Sequence, residues 1–454
     1  MDQNMIFNKT DTADKTYKAD KADMTGRIVS ILEGEGVCTY IIRNVCESRV
    51  EMYLVGERTD IMRSSDTDDY SVSVYCDFTV DGEQNRGCAD VRIFGSMTDE
   101  EISSRIRAAM RAARLSPAPY YPLAAAMTER ADDTSPDIYR ICEGYRRALC
   151  EHGTLEGAFI NSAELFCSHK RTRIVSSEGL DVCSAVTECT GELVVGCREG
   201  EDVELFDYFR YEGEQYELLG ERAGRLLASV RDRSRAEKCV RTGRYDIILE
   251  GECVRELLGY VLWLSDNKNI HTGYSSASVG APVAGDLPDI EGIPTLGFSR
   301  EGVRMIPRMI LADGILVSCT GDVRFSHYRS AEPTGHYERI RASVRPHQRV
   351  MPLAQLEEEL CIHIVSFSDF QFDPYDGYFG GEVRLGYLCR DGHRTPVTGL
   401  SVSGYFGENC TSMCYSSERH TDYTYDGPLA VRIGGVTVSG ISEAQCDNGG
   451  SQDE

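Results

Sequence analysis

Cysteines and histidines that could bind a metal occur close together at three places in the C-terminal half of the chain. They are Cys361 with His363, Cys389 with His393, and Cys410 and Cys414 followed by His420. None has the paired Cys-x-x-Cys spacing that indicates a structural zinc site. No nucleophile elbow or comparable local signature marks a serine or cysteine hydrolase. These residues are therefore expected to be ordinary thiols and strand histidines, and a metal or hydrolase site among them is left open.

A short amphipathic segment carries a second set of polar residues. Residues 251–264 read Gly-Glu-Cys-Val-Arg-Glu-Leu-Leu-Gly-Tyr-Val-Leu-Trp-Leu and follow a predicted strand at 245–249. At about 100° per residue, a helix here puts Arg255, Glu256 and Tyr260 on one side. The opposite side carries the apolar stripe Val254, Leu257, Leu258, Val261 and Leu262. On its residues alone, this is a helix with an ordinary polar face.

A basic stretch at 336–349 is predicted to be a loop, and contact of this loop with a partner or ligand is left open. Its cationic residues could pair with an acidic partner surface or with a peptide carboxylate. They are His336, Arg339, Arg341, Arg345 and Arg349.

Composition excludes several classes of protein. The chain has 454 residues and a net charge of −25, which repels phosphate backbones and argues against direct nucleic-acid binding. No segment approaches the ~18 consecutive apolar residues of a membrane helix, so no membrane contact is expected. The 18 cysteines stand singly in apolar contexts, as reduced thiols do. We predict a cytoplasmic protein.

Periodicity and turn residues predict an α+β protein with two small N-terminal α+β units. A larger β-rich C-terminal domain follows and carries the helix at 251–264 as its one motif helix. Thr98 and Glu101 form a capping box at the start of a helix, and Ser135-Pro136 begins another. A third helix is predicted at about 213–238. The predicted divisions are a disordered polar tail at 1–25, units at 26–122 and 123–240, the C-terminal domain at 241–441, and an acidic tail at 442–454.

The C-terminal half resembles the TldD/PmbA family, which comprises zinc metallopeptidases and relatives once labelled modulators of DNA gyrase. The order and spacing of several short segments carry the resemblance, with weaker similarity back to about residue 45. The segments are Thr242–Leu249, Phe298–Val303, Ile310–Leu316, Pro333–His336, Asp373–Gly377, Gly386–Leu388, Pro396–Gly404 and Val436–Gly440.

The resemblance also shows where this chain departs from the family. Catalytic members carry His-Glu-x-x-x-His on the motif helix, where this chain has Arg255, Glu256 and Tyr260. Arginine offers no lone pair, and a neutral phenol replaces imidazole poorly as a ligand. The family's third ligand, a cysteine, would fall near Tyr423–Gly427, which contains none. The resemblance thus implies vestigial motif positions, no catalytic residue and no zinc, as in the non-catalytic PmbA-like (TldE-like) branch.

We therefore expect a non-catalytic subunit that dimerises with a catalytic TldD-like relative or with itself and helps to enclose unfolded peptide. Two alternatives remain open. One is an active hydrolase with a relocated site, and the other is a stand-alone peptide-binding regulatory protein. The relocated site would use the histidines of the C-terminal half, which are His271, His327, His336, His347, His363, His393 and His420.

Overall fold

A computed structural model describes residues 24–131, 134–151, 154–283, 287–336 and 339–441. Over these ranges the chain is a mixed α+β protein rich in strands, which confirms the predicted fold class. The predicted acidic tail at 442–454 and all but the last two residues of the predicted polar tail at 1–25 lie outside the described residues. No described helix is both long and apolar enough to span a membrane.

The N-terminal half is built on one large, mainly antiparallel sheet. Its strands are β1 Thr39–Val55, β2 Arg58–Val80, β3 Glu83–Phe94, β4 Pro117–Pro119, β5 Met127–Glu129, β6 Thr154–Leu155, β7 Ala158–Ser176, β8 Leu180–Cys197 and β9 Val203–Glu212. The order across the sheet is β4-β3-β2-β1-β7-β8-β5, with β6 on β7 and β9 on β8, and the sheet is antiparallel except for the parallel pair of β5 with β8. Because β1 pairs with β7 along its length, the strands of the two predicted N-terminal units share this sheet.

Four helices pack against the sheet through apolar stripes. They are α1 at 24–34, α2 Asp99–Ala113, α3 Ile138–Glu151 and α4 Tyr216–Arg233. The predicted capping box begins α2, where Thr98 N donates to Glu101 Oε2 at 2.8 Å and Glu101 N donates to Thr98 Oγ1 at 3.3 Å. Helix α1 was not predicted, although it buries Ile28 and Leu32 completely. The charged residues before it extended the predicted tail into its first turn.

Over its described residues, the C-terminal half contains two further sheets and five helices. Its strands are β10 Gly243–Glu250, β11 Asp289–Pro294, β12 Arg308–Ala312, β13 Ile315–Leu316, β14 Ile340–Arg345, β15 Val350–Met351, β16 Cys361–Asp373, β17 Tyr378–Arg390, β18 His393–Val397, β19 Leu400–Tyr405, β20 Cys414–Ser416, β21 Arg419–Thr421, β22 Tyr425–Pro428 and β23 Ala430–Ser439. Its helices are α5 Glu252–Leu264, α6 Asn267–His271, α7 Val323–Tyr328, α8 Leu353–Leu356 and α9 Phe406–Asn409.

The first of these sheets closes on itself. It runs β10-β16-β17-β19-β23, and β23 pairs again with β10, so these strands form a ring. The second sheet runs β13-β12-β11-β14-β22-β21. Helix α5 leaves β10 through Gly251, whose φ of 56° is a conformation that glycine adopts without steric cost. This turn places α5 directly beside the ring.

Candidate functional site

Helix α5 buries the predicted apolar stripe and leaves its other face partly accessible. Val254, Leu257, Leu258 and Val261 are at most 1% exposed and belong to the main C-terminal core. Leu262, predicted in the same stripe, packs against that core but is only partly buried. The polar face carries the three motif positions.

Arg255 binds the two carboxylates nearest to it on the same helix. Its Nη2 lies 2.6 Å from Glu252 Oε1 and 3.5 Å from Glu256 Oε1. Burial raises the pKa of Glu256, and Glu252 and Asp369 add to that rise while Arg255 opposes it. The guanidinium therefore serves to neutralise a partly buried carboxylate within the helix.

Tyr260 lies in an aromatic cluster. Its ring centroid is 5.2 Å from that of Phe372 on β16, 5.0 Å from that of Phe406 on α9, and 6.0 Å from that of Trp263 one turn away. Burial raises the pKa of the Tyr260 hydroxyl, so the phenol is neutral at ordinary pH. This side chain therefore packs as an aromatic residue.

The segment 423–427 leads into the second C-terminal sheet, where its residues 425–427 belong to β22. Tyr423 Oη is 3.0 Å from Thr295 Oγ1, and the guanidinium of Arg210 lies over its ring at 4.0 Å. Tyr425 is fully buried in the same core cluster as the apolar stripe of α5. Both tyrosines thus have packing roles in the structure.

The residues of the basic stretch at 336–349 lie in different parts of the fold. The predicted loop is wrong for residues 340–345, which form β14 in the middle of a sheet, because Ala342 and Val344 are buried in the core despite the arginines on either side of them. His336 is only 3% exposed, its Nδ1 lies 3.0 Å from the carbonyl oxygen of Thr334, and burial lowers its pKa.

The four arginines of the stretch have separate environments. Arg339 reaches Glu188 in the N-terminal sheet at 3.1 Å, and Arg345 reaches Asp426 at 2.8 Å. Arg341 is partly buried on β14, and Arg349 is exposed just before β15. The stretch therefore does not form one cationic patch, and its contact with a partner or ligand stays a hypothesis.

The contact of Arg339 belongs to an ionic cluster around the buried Glu188, which sequence reasoning missed. Glu188 on β8 also pairs with Lys170 Nζ at 3.0 Å and with the guanidinium of Arg210. Burial alone would raise the pKa of Glu188, but these cations hold it at about 2. We call Lys170, Glu188, Arg210 and Arg339 the interface cluster, because it joins the N-terminal sheet to the C-terminal domain. No local sequence pattern marks it, since its members are far apart in the chain.

The histidines and cysteines singled out in the sequence lie in different surroundings. His363 is completely buried, with Nε2 2.7 Å from Glu250 Oε1 and Nδ1 2.5 Å from Glu357 Oε1. These carboxylates raise its pKa to about 9 against the opposing effect of burial. Cys410 is completely buried, and His420 lies 3.3 Å from Asp422.

One group of potential metal ligands emerges from the described residues. Ligand atoms of Asp289, Asp313 and His347 lie within 4.8 Å of one another. The two ring nitrogens of His347 are each 3.7 Å from one of the carboxylates. None of the three residues is on α5, and only His347 was singled out from the sequence.

The C-terminal domain of the chain matches a known protein family. Residues 242–440 match the family model described as the PmbA/TldA metallopeptidase C-terminal domain. This match confirms, for the C-terminal half of the chain, the TldD/PmbA resemblance predicted from its sequence. None of the curated proteins compared with it matches.

Solved structures share the fold over nearly the whole chain. TldE from Thermococcus kodakarensis is 14% identical with a TM-score of 0.73, covering 91% of this chain and all of its own. A candidate modulator of a DNA gyrase from Thermotoga maritima is 14% identical with a TM-score of 0.72, covering 92% of this chain and 100% of its own. Another, from Bacteroides thetaiotaomicron, is 15% identical with a TM-score of 0.71, covering 91% and 97%.

Proposed function

We propose that this chain is a non-catalytic subunit of a cytoplasmic peptidase complex that acts on unfolded peptides. Its partner in the complex is a catalytic TldD-like relative or a second copy of itself. The observation that carries the proposal is the polar face of α5. Arg255 is paired with Glu252 and Glu256, and Tyr260 is packed against Phe372 and Phe406.

The donor set on this face does not fit zinc. Catalytic zinc sites use three protein ligands drawn from histidine, cysteine and acidic residues. Of Arg255, Glu256 and Tyr260, only Glu256 is of that kind, because a guanidinium has no available lone pair and the phenol is neutral. Glu256 is therefore left without a metal-bound water to deprotonate, and no catalytic step is assigned to it.

Two further observations support the rest of the proposal. The similarity in fold to a protein named TldE fits a member of the branch that lacks the zinc motif. The described cysteines form no disulfide, as expected for a protein kept in a reducing compartment.

Glu256→Gln should leave the peptidase activity of the assembled complex within about threefold of the wild-type value. The measurement is kcat/KM on an unstructured peptide after mixing this chain with a relative that carries His-Glu-x-x-x-His. As a matched control, the same change in the relative's own motif should cost at least ~10²-fold, since that glutamate is a general base. A comparable loss from Glu256→Gln with folding intact would show that this chain is catalytic, and failure to form any complex would refute its role as a subunit.

The purified chain should contain well under one equivalent of zinc by elemental analysis. The motif positions do not supply three ligands, and the group at Asp289, Asp313 and His347 has side chains exposed to water, with Asp313 89% exposed. A stoichiometric metal that is lost on His347→Ala would place a metal site at that group. One that is lost on mutation of Cys410, Cys414 or His420 would favour the relocated-site hypothesis.

A further inference from the structure

A row of aromatic rings extends from the polar face of α5 to the protein surface. It consists of Tyr260, Trp263, Tyr375 and Tyr274, and we call it the aromatic row. Trp263 and Tyr375 have ring centroids 5.5 Å apart at an interplanar angle of 79°, and Tyr375 and Tyr274 are 5.1 Å apart at 80°. Rings that meet at nearly right angles form a corner in which a ligand can touch more than one ring.

The outer end of this row is accessible, and its inner end is anchored. Tyr375 is 66% exposed and Tyr274 is 57% exposed, whereas Tyr260 packs against Phe372 and Phe406. The turn that carries Tyr375 is held by hydrogen bonds from Tyr375 N to Asp373 Oδ1 at 2.9 Å and from Tyr378 N to Asp376 Oδ1 at 2.8 Å. The backbone that presents Tyr375 is thus fixed before a ligand arrives, which lowers the entropy cost of binding.

Carboxylates accompany the aromatic row on two of the three segments that form it, α5 and the turn that carries Tyr375. The segment 369–378 contains Asp369, Asp373 and Asp376 and no lysine or arginine. On α5, the single guanidinium of Arg255 is shared between Glu252 and Glu256. Exposed aromatic faces beside an excess of carboxylates attract cations, because the ring quadrupole and the negative charges act in the same direction.

We propose that the aromatic row binds lysine or arginine side chains of an unfolded peptide. The inference rests on the proposed function, in which this chain handles unfolded peptides, and adds the place and the chemistry of recognition. A second copy of the chain fits this surface poorly, because each copy has a net charge of −25. A flexible basic segment can make cation–π contacts with the aromatic faces and ion pairs with the carboxylates.

The experiment uses the one tryptophan of the chain, Trp263, as its reporter. The full chain is titrated with an unstructured lysine–glycine peptide while tryptophan fluorescence is followed. A glutamate–glycine peptide of the same length is the matched ligand control. We expect saturable binding of the lysine peptide and none of the glutamate peptide. Replacing both Tyr274 and Tyr375 by alanine should weaken binding about 10-fold, because the cation–π contacts at two exposed rings are lost together.

Control variants separate the site from general effects. Tyr139→Ala combined with Tyr208→Ala removes two tyrosines that are 49% and 47% exposed elsewhere, and should leave binding unchanged. Tyr375→Leu keeps apolar surface but removes the ring, and should weaken binding about threefold. Thermal melting of each variant checks folding.

Each contrary outcome overturns the inference in a recognisable way. Equal binding of both peptides would remove the role of charge. An unchanged affinity in the folded double variant would place the peptide elsewhere, and an absence of binding by the wild-type chain would refute the site altogether. None of these results affects whether the chain assembles with a catalytic relative and supports its activity, so the proposed function is judged separately.

Discussion

Glu188→Gln is expected to lower the free energy of unfolding by about 3 kcal/mol at about pH 7. In the interface cluster, the Glu188 carboxylate is 3% exposed and pairs with Lys170, Arg210 and Arg339. Its pKa falls from 4.5 to about 2 on folding, and each unit of that shift is worth about 1.4 kcal/mol. The amide cannot compensate the three cations, so the loss should appear directly in urea denaturation.

The pH dependence gives this prediction a second readout. Because the folded pKa is depressed, the contribution of Glu188 is fully present above its unfolded pKa of about 4.5 and is lost as the pH falls towards about 2. The difference between wild type and variant should therefore shrink over that range. The matched control is Glu143→Gln on α3, where the partly exposed pair with Arg146 should contribute less than about 1 kcal/mol. Equal losses from both variants would mean that the interface cluster contributes no more than a surface pair.

His363→Gln should also be strongly destabilising, by about 3 kcal/mol at about pH 6. The imidazolium lies between Glu250 and Glu357, and its pKa is raised from 6.5 to about 9. A glutamine can accept or donate hydrogen bonds there but leaves the two carboxylates without a compensating charge. The measurement is again the free energy of unfolding in urea.

The sign of the pH effect is opposite to that of Glu188. A raised folded pKa means that the contribution of His363 is complete below about 6.5 and is lost as the pH rises through about 9. The wild-type chain should lose stability over this interval, and the variant should lose less. His393→Gln, at an exposed histidine on β18, is the control and should leave the profile unchanged. A wild-type profile that is flat from about pH 6.5 to 9 would contradict the ionic role of His363.

Local patterns predicted much of the secondary structure, because they depend on neighbouring residues. The capping box at Thr98 and the 3.6-residue periodicity of α5 each specify a helix within a few turns. Strand β14 was not predicted because the basic residues Arg341 and Arg345 flank its short buried segment Ala342–Val344 and favoured a loop.

The tertiary contacts of the candidate site could not be predicted from local sequence patterns. Tyr260 meets Phe372 and Phe406, more than a hundred residues later, because β16 and α9 are folded against α5. The partners of Glu188 likewise come from β7, β9 and the residue immediately before β14. Contacts of this kind depend on the tertiary arrangement, for which a single sequence contains no local signal.

The pairing of β23 with β10 bears on how this protein is made. Strand β10 ends at Glu250, and its antiparallel neighbour β23 spans Ala430–Ser439. During synthesis, the edge of β10 that pairs with β23 stays unpaired until almost the whole C-terminal domain has been translated. Contacts of such long sequence separation form slowly, and an unpaired strand edge can meanwhile associate with other chains. A chain that stops before residue 430 would lack this closure, so the newborn domain is expected to depend on chaperones until translation has ended.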